Sequence, residues 1–279
     1  MKFRFLFIPS LLALCLAAGA QEHEFEWRRV PMDNSRTGCA PATADNVPEA
    51  IGKMQGDRYF APSGRSFKGG ATARVAAIVL AAQPQMAPLK EVIAHSAEEM
   101  STAYPESALS NWFVDELMRA VADSSGKKVD IGITNFGGIR TSMPKGDVVK
   151  DDIMSMFPFK NNLCYLELAG KDVRALLEQF AQTGWQVVGG ARCVVKDNKL
   201  VSAQIDGAPL DDDKTYGVAT ISFLLNGGDD IFVARNAKRL DIYPEYIIDV
   251  MLPYVYKLTE EGKPIEYQTD GRIEIIKEN

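Results

Sequence analysis

Histidine is scarce in this chain, which has 279 residues and only two histidines, His23 and His95. Two such residues cannot supply the ligands of a His-rich dinuclear metal centre. Neither of them lies in a nucleophile motif, so the sequence also offers no Ser-His-Asp or Cys-His arrangement. We therefore predict no catalytic residue and no metal ligand in this chain.

Cysteine is almost as rare, with four residues and no C-x-x-C pair. Beyond the N-terminal apolar segment there are three, Cys39, Cys164 and Cys193, and this odd number does not support a disulfide framework. Cys164 and Cys193 fall in predicted strands, where a free cysteine typically behaves as a small buried hydrophobe.

Long apolar runs are absent after the first twenty residues, so we predict no transmembrane segment. The N-terminus itself has Lys2 and Arg4, an apolar stretch over residues 5–18 and an A-x-A site ending at Ala20. These features predict a signal peptide over residues 1–20, cleaved after Ala20, and a periplasmic or secreted protein. A lipoprotein anchored at Cys15 is the less favoured alternative.

An excess of positive charge is also missing, since 31 Lys and Arg face 37 Asp and Glu. Removal of the signal peptide leaves 29 cations and the same 37 anions, a net charge of −8. An acidic exported protein is a poor non-specific binder of nucleic acid, so we predict no nucleic-acid partner. A local anion site built from Arg and backbone N–H groups remains compatible with this charge.

The chain divides into three predicted parts. Residues 1–20 are the signal peptide, residues 21–75 form an extended N-terminal arm rich in turn residues, and residues 76–279 form one domain. Helical and alternating patterns follow one another there, with hairpins and crossovers, and a last hairpin is predicted at Asp270-Gly271. These patterns predict an α+β fold with a mixed sheet and packed helices.

Three glycine-marked loops each follow a predicted strand: TNFGGIR up to Arg140, VVGGAR with Gly189-Gly190, and FLLNGGDD from Phe223 to Asp230. Paired glycines let a backbone approach a ligand closely, and Arg140 is a fork-shaped donor for phosphate or carboxylate. A single loop of this kind is more often only a tight turn.

Taken in order, five segments resemble the C-terminal domain of the 5'-nucleotidase family: ESALSNWFVDELMRA, NFGGIR, FPFKNNLCYLELAGKDVRALLE, DGAPLDDDKTYGVAT and FLLNGGDD. The family includes ecto-5'-nucleotidases and bacterial periplasmic UDP-sugar hydrolases. The resemblance, close over about residues 85–235, implies that this chain has the fold of that domain and binds a nucleotide or nucleoside.

The resemblance also implies roles for single residues. Phe159 and Phe223 match the two Phe side chains that stack on the base, and Asp229 matches the carboxylate that accepts the ribose hydroxyls. Stacking tolerates any flat base, and a carboxylate suits a diol because it only accepts hydrogen bonds. Without the resemblance, both Phe residues would read as core and Asp229 as a turn residue.

Three further residues are carried over from the family. Asn135 and Arg140 match its NGGGIR motif, and Gly190 matches a backbone contact of its SG turn. This sequence departs from the family at several motif positions, which indicates a weakened phosphate clamp. The departures are Ser110 for the Gly of GN, Phe136 for the first Gly of GGG, Lys160 for the Gly of FGN, and Tyr104-Pro105 where an Arg is frequent.

In the family, a separate N-terminal metallophosphatase domain holds two metal ions. Its His-containing motifs are missing from this sequence, so we expect no cofactor here and two divalent metals only in a partner metallophosphatase chain. The predicted function is thus the substrate-binding half of a split 5'-nucleotidase in nucleotide catabolism. A stand-alone nucleoside-binding protein and a hydrolase in its own right are the alternatives.

Overall fold

The computed structural model describes residues 47–276, so the predicted signal peptide and residues 21–46 of the predicted arm lie outside the described residues. The fold is a mixed α+β arrangement, as predicted from the sequence. The α-helices in this range are α1 (Val47–Ala50), α2 (Gly70–Met86), α3 (Ala108–Ser125), α4 (Lys150–Met156), α5 (Gly170–Thr183) and α6 (Ile247–Glu260). The strands are β1 (Lys53–Gln55), β2 (Arg58–Phe60), β3 (Ser66–Lys68), β4 (Val92–Ser96), β5 (Ile131–Thr134), β6 (Gly146–Val149), β7 (Asn162–Ala169), β8 (Val187–Gly189), β9 (Ala191–Lys196), β10 (Lys199–Ile205), β11 (Ala208–Pro209), β12 (Thr215–Ile221), β13 (Arg239–Tyr246) and β14 (Ile273–Ile276).

The central sheet has five strands in the order β13-β7-β12-β5-β8. Strands β12 and β5 are parallel, whereas β7 runs antiparallel to β12 and β8 runs antiparallel to β5. The carboxyl ends of β5 and β12 therefore meet the amino end of β7 at one edge of the sheet. The carboxyl end of β8 lies at the opposite edge.

Helix α3 packs on this sheet, and its two ends and its buried face follow from its sequence. The Ser107 side chain accepts a hydrogen bond from the backbone N–H of Ser110, and Gly126 ends the helix in the left-handed conformation. Leu109, Trp112 and Phe113 are buried in the core. The cap and the closing glycine set the two ends of the helix, and its apolar residues set the face turned to the sheet.

The second sheet, β11-β10-β9-β14, corrects the prediction for the C-terminal segment. Strand β14 pairs with β9 in parallel and does not close a hairpin at Asp270-Gly271. The reason is a long-range contact: the Glu106 carboxylate accepts the backbone N–H groups of Gly271 and Arg272, at 2.9 and 3.0 Å. These bonds hold the turn against the start of α3 and direct β14 toward β9.

The segment before the family-like region is structured from Val47 onward. Strands β1, β2 and β3 form a small antiparallel sheet, and α2 packs beside it. Helix α2 contains Pro84 and continues to Met86, and the N–H of Ala87 donates to the Pro84 carbonyl. Proline removes only one hydrogen bond so close to a helix end. The predicted boundary at residue 76 falls inside α2.

Two cysteines have the character expected from the sequence. Cys164 on β7 and Cys193 on β9 are both buried and not disulfide-bonded. Burial raises the pKa of each thiol to about 12. Both therefore act as small core side chains.

A buried ion cluster ties the C-terminal strand to α3. The Arg272 guanidinium donates two hydrogen bonds to the Asp115 carboxylate, at 2.8 and 2.9 Å, and two to Asp270, at 3.0 and 3.1 Å. Its side chain is only 8% exposed. The Arg272 guanidinium holds the pKa of the Asp270 carboxyl below its usual value. This contribution to stability is present above the carboxyl's ordinary pKa and is lost as acid protonates it.

We expect Arg272→Ala to lower the free energy of unfolding by about 1–3 kcal/mol, because two partly exposed carboxylates lose their buried hydrogen-bond donor. Urea denaturation measures this loss. The control is Arg239→Ala, since that guanidinium pairs with Asp241 on the surface and its removal should change stability little. Equal losses in the two variants would contradict a structural role for the buried cluster.

Candidate functional site

Three chain segments meet in one cleft at the edge of the central sheet where β5 and β12 end and β7 begins. Asn135 follows β5, Phe223 follows β12, and Phe159 precedes β7. The parallel pairing of β5 with β12 and the antiparallel pairing of β7 bring these three ends together. The cleft has a volume of about 250 Å³ and is lined by Asn135, Gly137, Gly138, Arg140, Phe159, Asn161, Phe223 and Asp229.

The two aromatic rings of the cleft are open to solvent. Phe159 is 46% exposed and Phe223 is 44% exposed, whereas the neighbouring Phe157 is 2% exposed and belongs to the core. A core role is thus excluded for Phe159 and Phe223. Large apolar side chains exposed in a concave site are what a flat ligand stacks on. The stacking role itself stays a prediction.

Asp229 lies in the same cleft and is joined to Asn135. The Nδ2 of Asn135 donates a hydrogen bond to Oδ2 of Asp229 at 2.6 Å, although the two residues are 94 positions apart. Asn135 is buried, with only 4% exposed, and Asp229 is exposed. The buried amide therefore orients one carboxylate oxygen, while the carboxylate faces the cleft and can accept hydroxyl donors.

Arg140 stands beside Phe159 at the exposed end of the glycine loop. Its guanidinium carbon is 5.8 Å from the centre of the Phe159 ring, and one N–H donates to the Gly137 carbonyl at 3.2 Å. The first contact is within the range of a cation–π interaction. A guanidinium has five N–H donors, so this anchoring leaves donors that an anion in the cleft can use.

Gly228 fixes the position of Phe223. A Cβ atom at residue 228 would lie 2.2 Å from the Phe223 carbonyl oxygen and 2.7 Å from its ring. Only glycine allows the turn to pass so close to the ring. The GGD loop therefore sets both the Phe223 ring and the adjacent Asp229.

We expect Gly228→Ala to weaken ligand binding and also to lower stability, because the added Cβ meets both the backbone oxygen and the ring of Phe223. Calorimetric titration with adenosine, paired with thermal unfolding, separates the two effects. Gly207→Ala is the control. A Cβ at residue 207 meets no neighbouring atom, but alanine is strained in the left-handed backbone there, so this variant can lose stability without any change in the cleft. Adenosine affinity unchanged in Gly228→Ala would contradict this positioning role.

Gly190 does not lie with the other carried-over residues. It follows β8, which runs antiparallel to β5, so it sits at the opposite edge of the sheet. There it lines a different cavity of about 470 Å³. A Cβ at this position would lie 2.4 Å from the Asp130 carbonyl oxygen, so close packing accounts for the glycine. The structure therefore places Gly190 in a different cavity from Phe159, and its contact with a ligand stays a prediction.

The larger cavity is also the poorer candidate for an anion site. It is lined by both acidic and basic side chains, including Asp115, Asp270 and Arg272. The Arg272 guanidinium there is already committed to the two carboxylates. A pocket whose buried cation is internally neutralised offers little attraction to phosphate.

Sequence reasoning missed Asn161, which also lines the cleft between Phe159 and the start of β7. The signal was present, because Asn161 occupies the last position of the FKN segment that resembles the FGN motif. Within residues 47–276, no group of three or more His, Cys, Asp or Glu side chains is placed to hold a metal ion. Over the same range, none of the helices has the length and apolar character of a bilayer crossing.

The fold and the cleft define the class of protein to which this chain is similar. The sequence-family model of the 5'-nucleotidase C-terminal domain matches residues 92–235 of this chain, which include every residue of the cleft. The chain belongs to this family.

Among curated relatives, the chain is 33% identical to the protein UshA of Salmonella pullorum over 123 residues, which are 42% of this chain and 21% of the relative. It is 28% identical to an apyrase of Tabanus yao over 194 residues, which are 60% of this chain and 34% of the relative. The chain thus spans only a fifth to a third of the length of these relatives.

Among solved structures, a 5'-nucleotidase precursor from Thermus thermophilus has the same fold. The TM-score is 0.65 at 27% identity, and the match covers 75% of this chain and 44% of the Thermus chain. An NAD nucleotidase of Haemophilus influenzae, with a TM-score of 0.57 at 16% identity, shows the fold alone.

Proposed function

We propose that this chain is an exported nucleotide- or nucleoside-binding protein that serves as the substrate-binding half of a 5'-nucleotidase. The observation that carries the proposal is the single cleft that gathers two exposed Phe rings, a carboxylate and an Arg from three separate strand ends. The names of the relatives, among them an apyrase and a 5'-nucleotidase precursor, point to nucleotides as the ligand class.

The chemistry of the cleft matches the parts of a nucleoside. Phe159 and Phe223 supply faces on which a base stacks, and each such contact is worth about 1–3 kcal/mol. Asp229 supplies acceptors for the two ribose hydroxyls, and a hydrogen bond to a charged group contributes about 1.5–3 kcal/mol. Arg140 supplies the only cation among the residues that line the cleft, and we assign it to the phosphate.

The reaction itself is assigned to a second chain. With two histidines in 279 residues, this sequence lacks the ligand set of a dinuclear metallophosphatase centre. In this proposal a separate metallophosphatase chain holds two divalent metals and hydrolyses the phosphoester, while this chain holds the nucleoside. In this proposal residues 1–20 are a signal peptide that exports this chain to the periplasm or the medium. The metallophosphatase chain lies in the same compartment.

A phosphate-release assay tests the division of labour. The purified mature chain with added Mg²⁺, Mn²⁺ or Zn²⁺ should release no more phosphate from AMP than a blank, and should form no more UMP from UDP-glucose. Phosphate release well above the blank that disappears with a chelator would contradict the proposal and make the chain a hydrolase in its own right.

We expect Arg140→Ala to weaken AMP binding more than adenosine binding, because only AMP carries the phosphate. The loss for AMP should be about 1.5–3 kcal/mol at low ionic strength, and added salt should reduce it. Parallel calorimetric titrations with the two ligands measure the difference.

The control for Arg140 is Lys160→Ala, since Lys160 is exposed beside the cleft but does not line it. Equal losses of AMP and adenosine in Arg140→Ala would show that Arg140 only supports Phe159. In that case the assignment to phosphate is wrong.

A further inference from the structure

Helix α2 is apolar over most of its surface, yet almost nothing in the described part of the chain covers it. Of its 17 residues only Ala73 is buried, and its only charged residue is Arg74. Val75 is 58% exposed and Ile78 is 70% exposed. A helix that is hydrophobic around most of its circumference is normally buried against a partner, so this one is incomplete as it stands.

Apolar residues form a regular stripe along α2. Ala71, Val75, Ile78 and Ala82 follow one another at spacings of four, three and four residues, the pattern of a helix–helix packing seam. The first three are exposed and Ala82 is half-buried. Val79 and Met86, each 39% exposed, flank it on one side. We call these four residues the α2 seam. A surface of this shape fits another helix better than a small ligand.

The α2 seam is symmetric about its own midpoint. Val75 and Ile78 are equally distant from that point, and so are Ala71 and Ala82. When two such helices pack antiparallel about a twofold axis there, Val75 of one copy meets Ile78 of the other, and Ala71 meets Ala82. An isologous dimer needs a surface that is complementary to itself in this way. We propose that the α2 seam binds the α2 seam of a second copy of this chain.

Charge does not oppose the pairing. Arg74 lies at the edge of the seam, and the residue at its symmetry-related position is Val79, so the two Arg74 side chains do not face each other. Two cations of the adjoining small sheet point elsewhere. Arg58 and Lys68 pair across β2 and β3, whereas the adjacent Tyr59 lines the groove next to α2. Successive strand residues face opposite sides, so this basic pair lies on the other face of the sheet.

The available area sets the strength of the dimer. A helix of 17 residues is about 25 Å long, and an apolar stripe along it presents on the order of 300 Å² per copy. The apolar groove that Ile51 and Tyr59 form beside α2 extends this surface. Two such stripes together bury on the order of 600 Å², below the usual size of a stable specific interface, so we expect a weak dimer that forms and dissociates readily.

Sedimentation equilibrium on the full mature chain, up to about 1 mM protein, tests the proposal. The wild-type chain should pass from one to two copies as its concentration rises. Val75→Lys and Ile78→Glu should each weaken the dimer at least about tenfold, because the new charge enters the seam twice per dimer. Val201→Lys, at a residue 62% exposed on β10, is the matched control and should leave the dimer unchanged.

The double variant V75K/I78E gives the decisive comparison. Across the twofold axis each new cation meets a new anion, so this variant should regain dimerisation, whereas V75E/I78E should not. A wild-type chain that stays monomeric throughout overturns the proposal, including the case in which it binds phosphatidylglycerol vesicles instead. Failure of V75K/I78E to recover, with its thermal unfolding unchanged, also overturns the antiparallel twofold pairing.

Discussion

Alanine in place of both Phe159 and Phe223 is expected to weaken adenosine binding by about 2–6 kcal/mol, a loss of roughly 30-fold to more than 10,000-fold. Both rings are exposed in the cleft, so their removal should cost binding energy with little change in the core. Calorimetric titration measures the affinity, and each single variant should lose about half of the total.

Phe67→Ala is the control for the aromatic pair. Phe67 lies on β3, is partly exposed and stacks on Tyr59, away from the cleft. Its removal should leave adenosine binding unchanged. Adenosine affinity that survives the loss of both cleft rings would show that the base does not stack between them, whatever else binds there.

Asp229→Asn is expected to weaken adenosine binding by about 1.5–3 kcal/mol, because the ribose hydroxyls lose a charged acceptor. Asparagine is the substitution that isolates the charge. Residue 229 has φ of 51°, a left-handed conformation that Asn tolerates well, and its amide oxygen can still accept the bond from Asn135. The loss therefore reports on the ligand and not on a rebuilt turn.

Two comparisons sharpen the Asp229 prediction. Asp230→Asn changes the adjacent exposed carboxylate, which has the same left-handed backbone but does not line the cleft, and it should have no effect. 2′,3′-Dideoxyadenosine, which lacks the two ribose hydroxyls assigned to Asp229, should bind the wild type and Asp229→Asn equally. Equal loss of adenosine and the dideoxy analogue would contradict the ribose assignment.

The sequence identifies cleft residues where a recognisable motif follows a strand and the strand ends at the edge of the sheet that holds the cleft. The loops after β5 and β12 were recognised from NFGGIR and GGDD, and the parallel pairing of these strands brings both to one edge. The bond from Asn135 to Asp229 joins residues 94 positions apart, and local periodicity carries no information about such a distance. Only the resemblance to a family placed both residues in one site.

Gly190 is the residue for which the motif alone does not give the position in the fold. Its VVGGAR loop also follows a strand, and from the sequence it looks equivalent to the other two loops. The difference is that β8 pairs antiparallel to β5, which moves the loop to the far edge of the sheet. Strand direction depends on long-range pairing, and the sequence pattern of a short buried strand is the same in either direction.

The prediction of a hairpin in the C-terminal segment was wrong for a related reason. Asp270-Gly271 is a strong local turn signal, but Glu106, 165 positions away from Gly271, accepts its backbone N–H and fixes a different path for the chain. A local turn preference of this kind is weak compared with several long-range hydrogen bonds.

A calorimetric titration of the wild-type mature chain with adenosine tests the central claim most directly. The account predicts saturable binding of one adenosine per chain, abolished in the variant that lacks both Phe159 and Phe223. Absence of binding by adenosine, AMP and UDP-glucose alike, at ligand concentrations up to about 10 mM, would contradict it, since two stacked contacts and one charged hydrogen bond together contribute about 3.5–9 kcal/mol, a dissociation constant of about 3 mM or lower.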